Sequence, residues 1–232
     1  MKRIGLLGGM SWESSIEYYR FLNEEVRDRL GGLHSADCLL RSLDFAPIEA
    51  MQSAGQWEEA GRLLAVEAVE LERAGAELIV LCTNTMHKVA ETITTAISVP
   101  LLHIADTTAD ALRKAGYRTV GLLATAYTME QDFYRGRLEA QHGLSVIVPA
   151  PADRRIVHEV IYQELCRGVT RSESRAEYRR IIDTLVGDGA ECILLGCTEI
   201  DLLIDGSDSP VPLFDTTRLH ATRAVSLALG SG

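Results

Sequence analysis

The chain alternates short, continuously apolar runs with longer amphipathic stretches. Six runs have the length and composition of buried strands, and they cover residues 3–7, 39–43, 78–81, 120–124, 145–148 and 192–195. Between them, residues 58–74 and 174–186 show the period and length of helices. Gly75 and Gly189 each follow such a stretch, where a left-handed glycine would end the helix. Strands separated by helices predict βαβ units and a parallel sheet.

The pattern occurs twice along the chain. KRIGLLGG (residues 2–9) resembles RTVGLLAT (118–125), Tyr19-Arg20 recurs as Tyr134-Arg135, and GAELIVLCTNT (75–85) matches GAECILLGCTE (189–199). These matches lie at a nearly constant offset of about 115 residues, in an alignment that pairs Cys82 with Cys197. VPLLHIADTT (99–108) and VPLFDTT (211–217) give a further match at a shorter offset. Several matches in register predict an internal duplication.

Duplication predicts an α/β protein of two similar lobes, each a parallel sheet flanked by helices, related by a pseudo-twofold axis. The first lobe is expected to comprise residues 1–107 plus 211–232 and to carry Cys82; the second comprises residues 108–210 and carries Cys197. Ligands of open α/β sheets bind beyond the carboxyl ends of the strands, where both cysteines stand. The active site is therefore expected between the lobes.

Composition restricts the class of protein. Hydrophobic residues make up 47% and charged residues 24% of the 232 residues, as in ordinary globular proteins. The net charge of −10 argues against a nucleic-acid or anionic-membrane partner. No apolar run reaches the roughly 18 residues of a membrane helix, and the N-terminal run is too short for a signal peptide, so we expect a cytoplasmic protein.

Five cysteines, an odd number without CxxC spacing, argue against a disulfide framework or a structural zinc site. Cys38, Cys166 and Cys192 lie in or beside apolar runs and are interpreted as packed side chains. Cys82 and Cys197 instead precede polar residues at a strand end.

Two thiols on opposite faces of an α-carbon can move its proton, one as base and the other as acid. Polar residues follow both cysteines, namely Thr83, Asn84 and Thr85 in one half and Thr198 and Glu199 in the other. They would cap the next helix and favour a thiolate. They would also leave backbone N–H groups free for a carboxylate. The pattern predicts catalytic thiols at Cys82 and Cys197.

Other chemistries remain open or are disfavoured. His87, five residues after Cys82, has three possible roles: a metal ligand, the base of a hydrolase-type Cys–His pair, or a support for the site. Residues 5–9 lack the full GxGxxG of a dinucleotide loop. The lysines are Lys2, Lys88 and Lys114, and none stands in a phosphate-binding context, so neither a metal nor pyridoxal phosphate is expected.

CTNT at residues 82–85 and GCTE at 196–199, behind an N-terminal IGLLGGMSWES, resemble the aspartate/glutamate racemase superfamily. GGLHSADCLL, LCTNTMHKVA, YTMEQDFYRGRL and GCTEIDLL are similar to its broad-specificity amino-acid racemase branch. The resemblance covers essentially the whole chain. It implies a homodimer, no cofactor, a site between the lobes, Cys82 serving the D-enantiomer and Cys197 the L-enantiomer.

By position, the resemblance also implies a set of substrate-binding residues. It comprises Met10, Ser11, Gln52, Thr83, Asn84, Thr85, Thr125, Thr198 and Glu199. Gln52 is the weakest of them, the alternative being a solvated position on a helix.

The sequence departs from aspartate-specific relatives at two places. They have an arginine after the second strand and a lysine in the second lobe, where this chain reads LDFAPI (43–48) and ELCRG (164–168), with only Arg167 as a substitute. A neutral or polar substrate therefore competes with an acidic one. A dicarboxylate isomerase or decarboxylase that uses one cysteine, and a non-catalytic amino-acid-binding protein, are the alternative functions.

Overall fold

The computed structural model of the protein describes residues 1–230 and contains two parallel sheets of four strands. The first sheet has the order β2-β1-β3-β4, with β1 Ile4–Gly8, β2 Cys38–Ser42, β3 Leu78–Leu81 and β4 Leu101–Leu102. The second has the order β6-β5-β7-β8, with β5 Thr119–Leu123, β6 Ser145–Ile147, β7 Cys192–Leu195 and β8 Leu213–Asp215. The two strand orders are the same, as a duplication requires.

Helices flank the sheets. They are α1 Trp12–Leu30, α2 Phe45–Ser53, α3 Trp57–Arg73, α4 Ala90–Ala96, α5 Ile104–Ala115, α6 Ala126–Glu130, α7 Arg135–His142, α8 Pro151–Gln163, α9 Ser172–Gly187 and α10 Thr216–Leu229. Short 3₁₀ turns cover Thr85–Val89, Leu165–Arg167, Thr198–Leu202 and Gly206–Asp208. Within the described residues, no helix is both long and apolar enough to cross a membrane.

The chain divides into two compact units. One comprises Met1–Ile104 together with the chain from His220 onward, and the other comprises Ala105–Leu219. The boundaries differ from those of the sequence analysis, chiefly at the return to the first unit, expected at residue 211. Residues 213–215 form β8, which pairs with β7 of the second sheet, and this pairing keeps the segment in the second unit.

The predicted α/β fold with two lobes is confirmed, and the six predicted strands agree with the structure to within about one residue. Gly75 and Gly189 end α3 and α9 with φ of 97° and 102°, as expected of left-handed glycines. The strands β4 and β8 were not predicted. They have two and three residues, too few to give an apolar run of their own.

Packing around two glycines repeats between the units. A Cβ on Gly5 of β1 would lie 2.8 Å from both Ala76 and Ile79, and a Cβ on Gly121 of β5 would lie 3.3 Å from Ala190 and 2.6 Å from Ile193. Both central strands thus lack a side chain where the neighbouring strand, β3 or β7, and the loop before it approach. The shared contacts extend the duplication from sequence to packing.

The first sheet is covered on both faces. One face carries Ile4, Val80 and Cys82 and packs against α1 and α10. The other carries Leu7, Ile79 and Leu81 and packs against α2, α3 and the turn after β3. Alternation along β3 therefore puts the Cys82 side chain on the α1 and α10 face.

Candidate active site

The first unit has a tight loop between β1 and α1, at residues 8–11. Gly9 has a φ of 87°, and a Cβ there would lie 2.2 Å from the backbone of Leu43, so only glycine fits. The Gly9 N–H donates to Ser15 Oγ at 2.7 Å, and Ser15 Oγ donates to the Ser11 carbonyl at 3.0 Å. Ser11 caps α1 by accepting from the Ser14 N–H at 3.3 Å. The loop is closely fixed at the carboxyl end of β1.

Cys82 follows β3 directly and is fully buried. Its N–H donates to the Leu7 carbonyl at 2.9 Å, which continues the ladder to β1, and its carbonyl accepts from Ser14 Oγ at 3.2 Å. Its thiol points back toward the Val80 carbonyl, 3.6 Å away. Burial, with a smaller contribution from Cys38, holds the pKa of the Cys82 thiol well above its usual value.

Thr83, Asn84 and Thr85 are all buried beyond Cys82. The Thr83 N–H turns back to the Leu81 carbonyl at 2.9 Å, and the chain then enters the Thr85–Val89 3₁₀ turn. Asn84 makes no side-chain cap bond to this turn, so the expected capping is not formed. The segment is a turn held by its surroundings and not a capped α-helix.

His87 stabilises this turn through hydrogen bonds of both its ring nitrogens. Its Nδ1 lies 2.7 Å from the Thr83 carbonyl, which can only accept, so Nδ1 carries the proton. Its Nε2 accepts from the Ile104 N–H at 3.2 Å. Both ring nitrogens serve backbone groups, which is against His87 acting as the base of Cys82. Of its three possible roles, the geometry favours support.

A second buried histidine continues this support. The ring of His220 lies 5.8 Å from that of His87. Its Nδ1 accepts from the Tyr18 hydroxyl at 2.8 Å, and its Nε2 donates to the Leu102 carbonyl at 3.0 Å. Burial lowers the pKa of His220 to about 3, so the ring is neutral.

Two further candidates of the first unit are buried side chains. Met10 packs in the core face with Leu7 and Met86. Gln52 lies on α2 with 3% of its surface exposed and donates to the Met86 sulfur at 2.9 Å. The solvated alternative for Gln52 is therefore wrong.

In the second unit, Cys197 lies one residue further from its strand. Its half-buried thiol donates to Glu199 Oε2 at 2.9 Å, and the Cys166 thiol lies 3.7 Å from Glu199 Oε1. Burial and the Glu199 carboxylate hold the pKa of the Cys197 thiol well above its usual value. The expectation that the surroundings favour a thiolate is wrong for both cysteines. Cys166, interpreted as merely packed, has a carboxylate neighbour.

Buried hydroxyls surround this second strand end. Thr125 caps α6 by accepting from the Thr128 N–H at 3.4 Å. Thr217 donates from Oγ1 to Thr198 Oγ1 at 3.0 Å, and Thr216 donates to the Leu195 carbonyl at 2.8 Å. These bonds fix the turn that carries Cys197.

The sequence analysis did not identify Asp215, at the end of β8, as a candidate site residue. Burial, with repulsion from Asp201, raises the pKa of Asp215 to about 6. Its Oδ1 accepts from the Thr217 N–H at 2.8 Å. The match of VPLFDTT to the first half was the available signal, because it put a carboxylate beside the paired threonines.

Strand register corrects the pairing of the two cysteines in the repeat. Leu81 lies opposite Leu7, and Leu195 lies opposite Leu123. The next N–H groups, of Cys82 and Gly196, donate to the Leu7 and Leu123 carbonyls at 2.9 Å and 2.8 Å. Cys82 therefore corresponds to Gly196, and Cys197 comes one residue later.

Known proteins share this architecture. The profile of the Asp/Glu/Hydantoin racemase family matches residues 7–224. The chain belongs to this family. Membership assigns it to the isomerases, as a racemase.

Two solved structures and one characterised relative illustrate the similarity. A candidate Asp/Glu racemase from Yersinia pestis is 53% identical, with 99% of this chain and 100% of that chain covered and a TM-score of 0.92. An aspartate racemase homologue from Pyrococcus horikoshii OT3 is 34% identical, with coverage of 99% and 100% and a TM-score of 0.85. The broad specificity amino-acid racemase RacX of Bacillus subtilis (strain 168) is 25% identical over 169 residues, which cover 70% of this chain and 69% of RacX.

The described residues contain no group of three or more His, Cys, Asp or Glu side chains that could hold a metal ion. The structure gathers polar groups around each of the two cysteines. The set around Cys82 consists of backbone groups, hydroxyls and neutral histidines, and the set around Cys197 of hydroxyls and carboxylates.

Proposed function

We propose that the protein is a cofactor-independent amino-acid racemase in which Cys82 and Cys197 act on opposite faces of the substrate Cα. The observation that carries the proposal is the thiol at the carboxyl end of β3 and the second thiol at the carboxyl end of β7, the corresponding strand of the repeat. Membership of a racemase family supports it.

The chemistry requires one acid and one base. One cysteine takes the Cα proton, the other returns a proton to the opposite face, and the roles exchange for the other enantiomer. We assign the D-enantiomer to Cys82 and the L-enantiomer to Cys197. Fixed donors near each strand end would stabilise the carbanion and orient the α-carboxylate.

We further propose that polar residues of both loops bind the substrate, namely Ser11, Thr83, Asn84, Thr85, Thr125 and Thr198. Each of these residues is buried, and each lies close in sequence to a catalytic thiol or to the end of a central strand. Met10 and Gln52 are weaker candidates, because the first packs in the core and the second donates to a methionine sulfur.

For the substrate we propose a neutral or polar amino acid. Asp44, in the segment where acidic-substrate relatives have an arginine, caps α2 by accepting from the Ala46 N–H at 3.3 Å. Arg167, the substitute in the second unit, is exposed on its turn. Chiral chromatography of a panel of L- and D-amino acids tests this, and exclusive turnover of aspartate or glutamate would contradict it.

We also propose that the protein works as a homodimer in the cytoplasm, without pyridoxal phosphate. Five free cysteines fit a reducing compartment. One face of α1 exposes Trp12, Ile16 and Tyr19 by 61%, 50% and 53%, as expected of a contact surface. Sedimentation at 25.4 kDa, the mass of one chain, would contradict the dimer.

The decisive experiment follows Cα hydrogen exchange and racemisation in deuterated water. Each enantiomer of a good substrate should yield product labelled at Cα. Cys82→Ser and Cys197→Ser should each abolish racemisation, while one of them can retain exchange with a single enantiomer.

Cys192→Ala is the matched control, since Cys192 begins β7, at the end of the strand away from Cys197, and its substitution should leave racemisation intact. Full activity in both site variants would refute the two-thiol mechanism. Activity that survives loss of one thiol would favour the one-cysteine alternative, and binding without any exchange would favour an amino-acid-binding protein.

A further inference from the structure

A cavity of the second unit lies where two neighbouring strands begin. It has a volume of about 420 Å³, and it is bordered by the ends of α5 and α7 and by the residues that lead into β5 and β6. The volume is in the range of small-molecule sites. Cys197 follows β7 of the same parallel sheet, so it stands at the carboxyl end of a strand. The cavity is therefore separate from the thiol site of this unit.

Left-handed glycines shape both turns that border the cavity. Gly116 follows α5 with a φ of 87°, and Gly143 caps α7 with a φ of 67°. A Cβ on either glycine would have no described atom within 4 Å, so the space beside them is open. The Ser145 N–H donates to the Arg118 carbonyl at 2.8 Å and fixes the start of β6 against the start of β5. Hydrogen-bonded backbone thus holds the border in place.

Three basic side chains line the cavity, and two of them have structural roles. Arg113, in the last turn of α5, donates to Asp110 Oδ1 at 3.3 Å, and both side chains are exposed. His142, in the last turn of α7, donates from Nε2 to Asp106 Oδ1 at 2.9 Å. Cations at these positions stabilise the carbonyl ends of the helices. The exposed ion pair of Arg113 contributes little, so its guanidinium can also turn to a ligand.

Arg118 is the third basic residue and lies between α5 and β5, outside either element. Its exposed guanidinium forms no hydrogen bond or ion pair with residues 1–230, which the structure describes. The neighbouring carboxylate of Glu191 is occupied by backbone, because its Oε2 accepts from the Thr119 and Arg118 N–H groups at 2.7 Å and 2.8 Å. These bonds, with a smaller contribution from the Arg118 charge, lower the pKa of Glu191. The N–H donors of the Arg118 guanidinium are therefore left for solvent or a ligand.

The same edge of the first sheet is neutralised. There Arg3, directly before β1, donates from Nε to Asp37 Oδ1 at 2.8 Å, and Asp37 comes directly before β2. In the second sheet, β6 begins with Ser145 after Leu144, and neither side chain carries a charge. The repeat thus has a carboxylate at this edge in one unit and an open cavity beside an arginine in the other.

Apolar side chains complete the border. Leu144 is buried, and the half-buried Tyr117 ring packs edge-to-face on Phe214, with 5.5 Å between the ring centroids. Among the described residues, the Tyr117 hydroxyl has no hydrogen-bond partner. The cavity therefore offers an aromatic ring and a hydroxyl close to a guanidinium.

We propose that this cavity binds a small organic anion, with its phosphate or carboxylate group at Arg118 and its apolar body against Tyr117 and Leu144. A guanidinium binds either oxyanion through two parallel hydrogen bonds, and Arg113 adds a second positive charge beside it. The net charge of −10 disfavours anions over the surface as a whole, so binding depends on these local cations. The site goes beyond the proposed racemase function and does not require it.

Isothermal titration of the full chain with three probes of similar shape tests the proposal. Phenyl phosphate and benzoate carry the two anionic groups on one apolar ring, and benzamide is the neutral match of benzoate. At low ionic strength we expect saturable binding of at least one anion at one site, and none of benzamide. Tighter binding of phenyl phosphate would identify a phosphate ligand, and tighter binding of benzoate a carboxylate. No binding of either anion would overturn the proposal.

A matched pair of variants locates the binding. Arg118→Gln should weaken binding of the anion about tenfold or more, because it removes a charge-assisted pair of hydrogen bonds. Arg155→Gln is the control, since Arg155 is an exposed arginine of α8 in the same unit and makes no ion pair with a described residue. It should leave the dissociation constant unchanged, and both variants should unfold in urea like the wild type. Equal weakening in both would mean a non-specific charge effect and would overturn the site.

Hydrogen exchange followed by mass spectrometry gives a second readout that needs no variant. The bound anion should slow exchange of the amides in residues 113–118 and 142–145 relative to the free protein. Protection of the segment after Cys197 instead, with an unchanged dissociation constant in Arg118→Gln, would place the anion at the substrate site and overturn the proposal. Racemisation is measured separately, and its absence would refute the proposed function without changing the result of these binding experiments.

Discussion

The ends of β3 and β7 derive from one repeat, yet they present their thiols differently. Cys82 continues the ladder to β1 and belongs to the buried face of its sheet. Gly196 occupies the corresponding place in the second unit, and Cys197 follows it as a half-buried residue beside a carboxylate. A one-residue displacement turns a side chain to the other side of a strand. Two similar motifs therefore give their thiols different surroundings.

Packing explains why the second thiol is displaced. A Cβ on Gly196 would lie 2.9 Å from both Ala124 Cβ and Leu122 Cδ1 and 3.3 Å from the Leu123 carbonyl. The first unit has Gly8 where the second has Ala124, so it lacks the methyl group that a side chain at this place would meet. The loop after the central strand differs as well. From Leu7 to the Ser11 cap the chain uses four residues, and from Leu123 to the Thr125 cap it uses two.

The support below the two turns differs as well. In the first unit, neutral His87 and His220 link the turn to Ile104, Leu102 and Tyr18. In the second unit, the threonines of α10 and Glu199 make the corresponding bonds. Acid should therefore affect the first turn through protonation of His220, and the second turn should depend on hydroxyl bonds of ordinary strength.

The largest expected effect is a loss of stability in acid through His220. The pKa of this ring is lowered to about 3 in the folded state, while an unfolded histidine has a pKa of about 6.5. Below about pH 6.5 the unfolded chain binds a proton that the folded chain does not. The free energy of unfolding therefore decreases as the pH is lowered. We expect a loss of about 3 kcal/mol between pH 6.5 and 4 from this group, measured by urea unfolding.

His220→Gln is the comparison for that measurement. Glutamine offers an acceptor and a donor for Tyr18 and the Leu102 carbonyl without a titrating ring. The variant should show a shallower dependence on pH over the same range. An identical slope in both proteins would mean that His220 does not titrate as the structure indicates.

The next effect tests the displaced register. Gly196→Ala should lower the free energy of unfolding by about 1–3 kcal/mol, because the added methyl overpacks against Ala124 and Leu122. Gly187→Ala is the control, since nothing lies within 4 Å of a Cβ at that place on α9. The control should be neutral or slightly stabilising. Equal stability of the two variants would remove the packing explanation for the position of Cys197.

The smallest effect concerns the hydroxyls of the second turn. Thr217→Val removes the donor to Thr198 Oγ1 and should cost about 1 kcal/mol in a chemical unfolding experiment. Thr217→Ser keeps the hydroxyl and should cost less. If valine is tolerated as well as threonine, the bond to Thr198 contributes nothing to stability.

Much of the fold could be predicted from the sequence. Runs such as residues 78–81 and 192–195 are apolar throughout because strands covered on both faces have no solvent side, and glycines such as Gly75 end the helices before them. The duplication could be detected in the sequence because corresponding residues make the same packing contacts in both units, as Gly5 and Gly121 do.

Less of the site could be predicted. The sequence analysis paired Cys82 with Cys197 by residue type, although GAELIVLC (75–82) aligned without a gap to GAECILLG (189–196) places Cys82 opposite Gly196, as the ladder does. Cys166 contacts Glu199 from a separate segment of the chain. The burial and the Asp201 charge that raise the pKa of Asp215 likewise depend on packing and not on sequence neighbours.

By itself, the sequence determined two repeated α/β units and a cysteine beyond a central strand of each, since hydropathy and turn residues act over a few neighbours. Tertiary structure alone decided that burial raises the pKa of both thiols and that the Cys197 thiol donates to the Glu199 carboxylate. The reason is physical: the ionisation of a thiol depends on the groups that surround it in space, and those groups come from several separate segments of the chain.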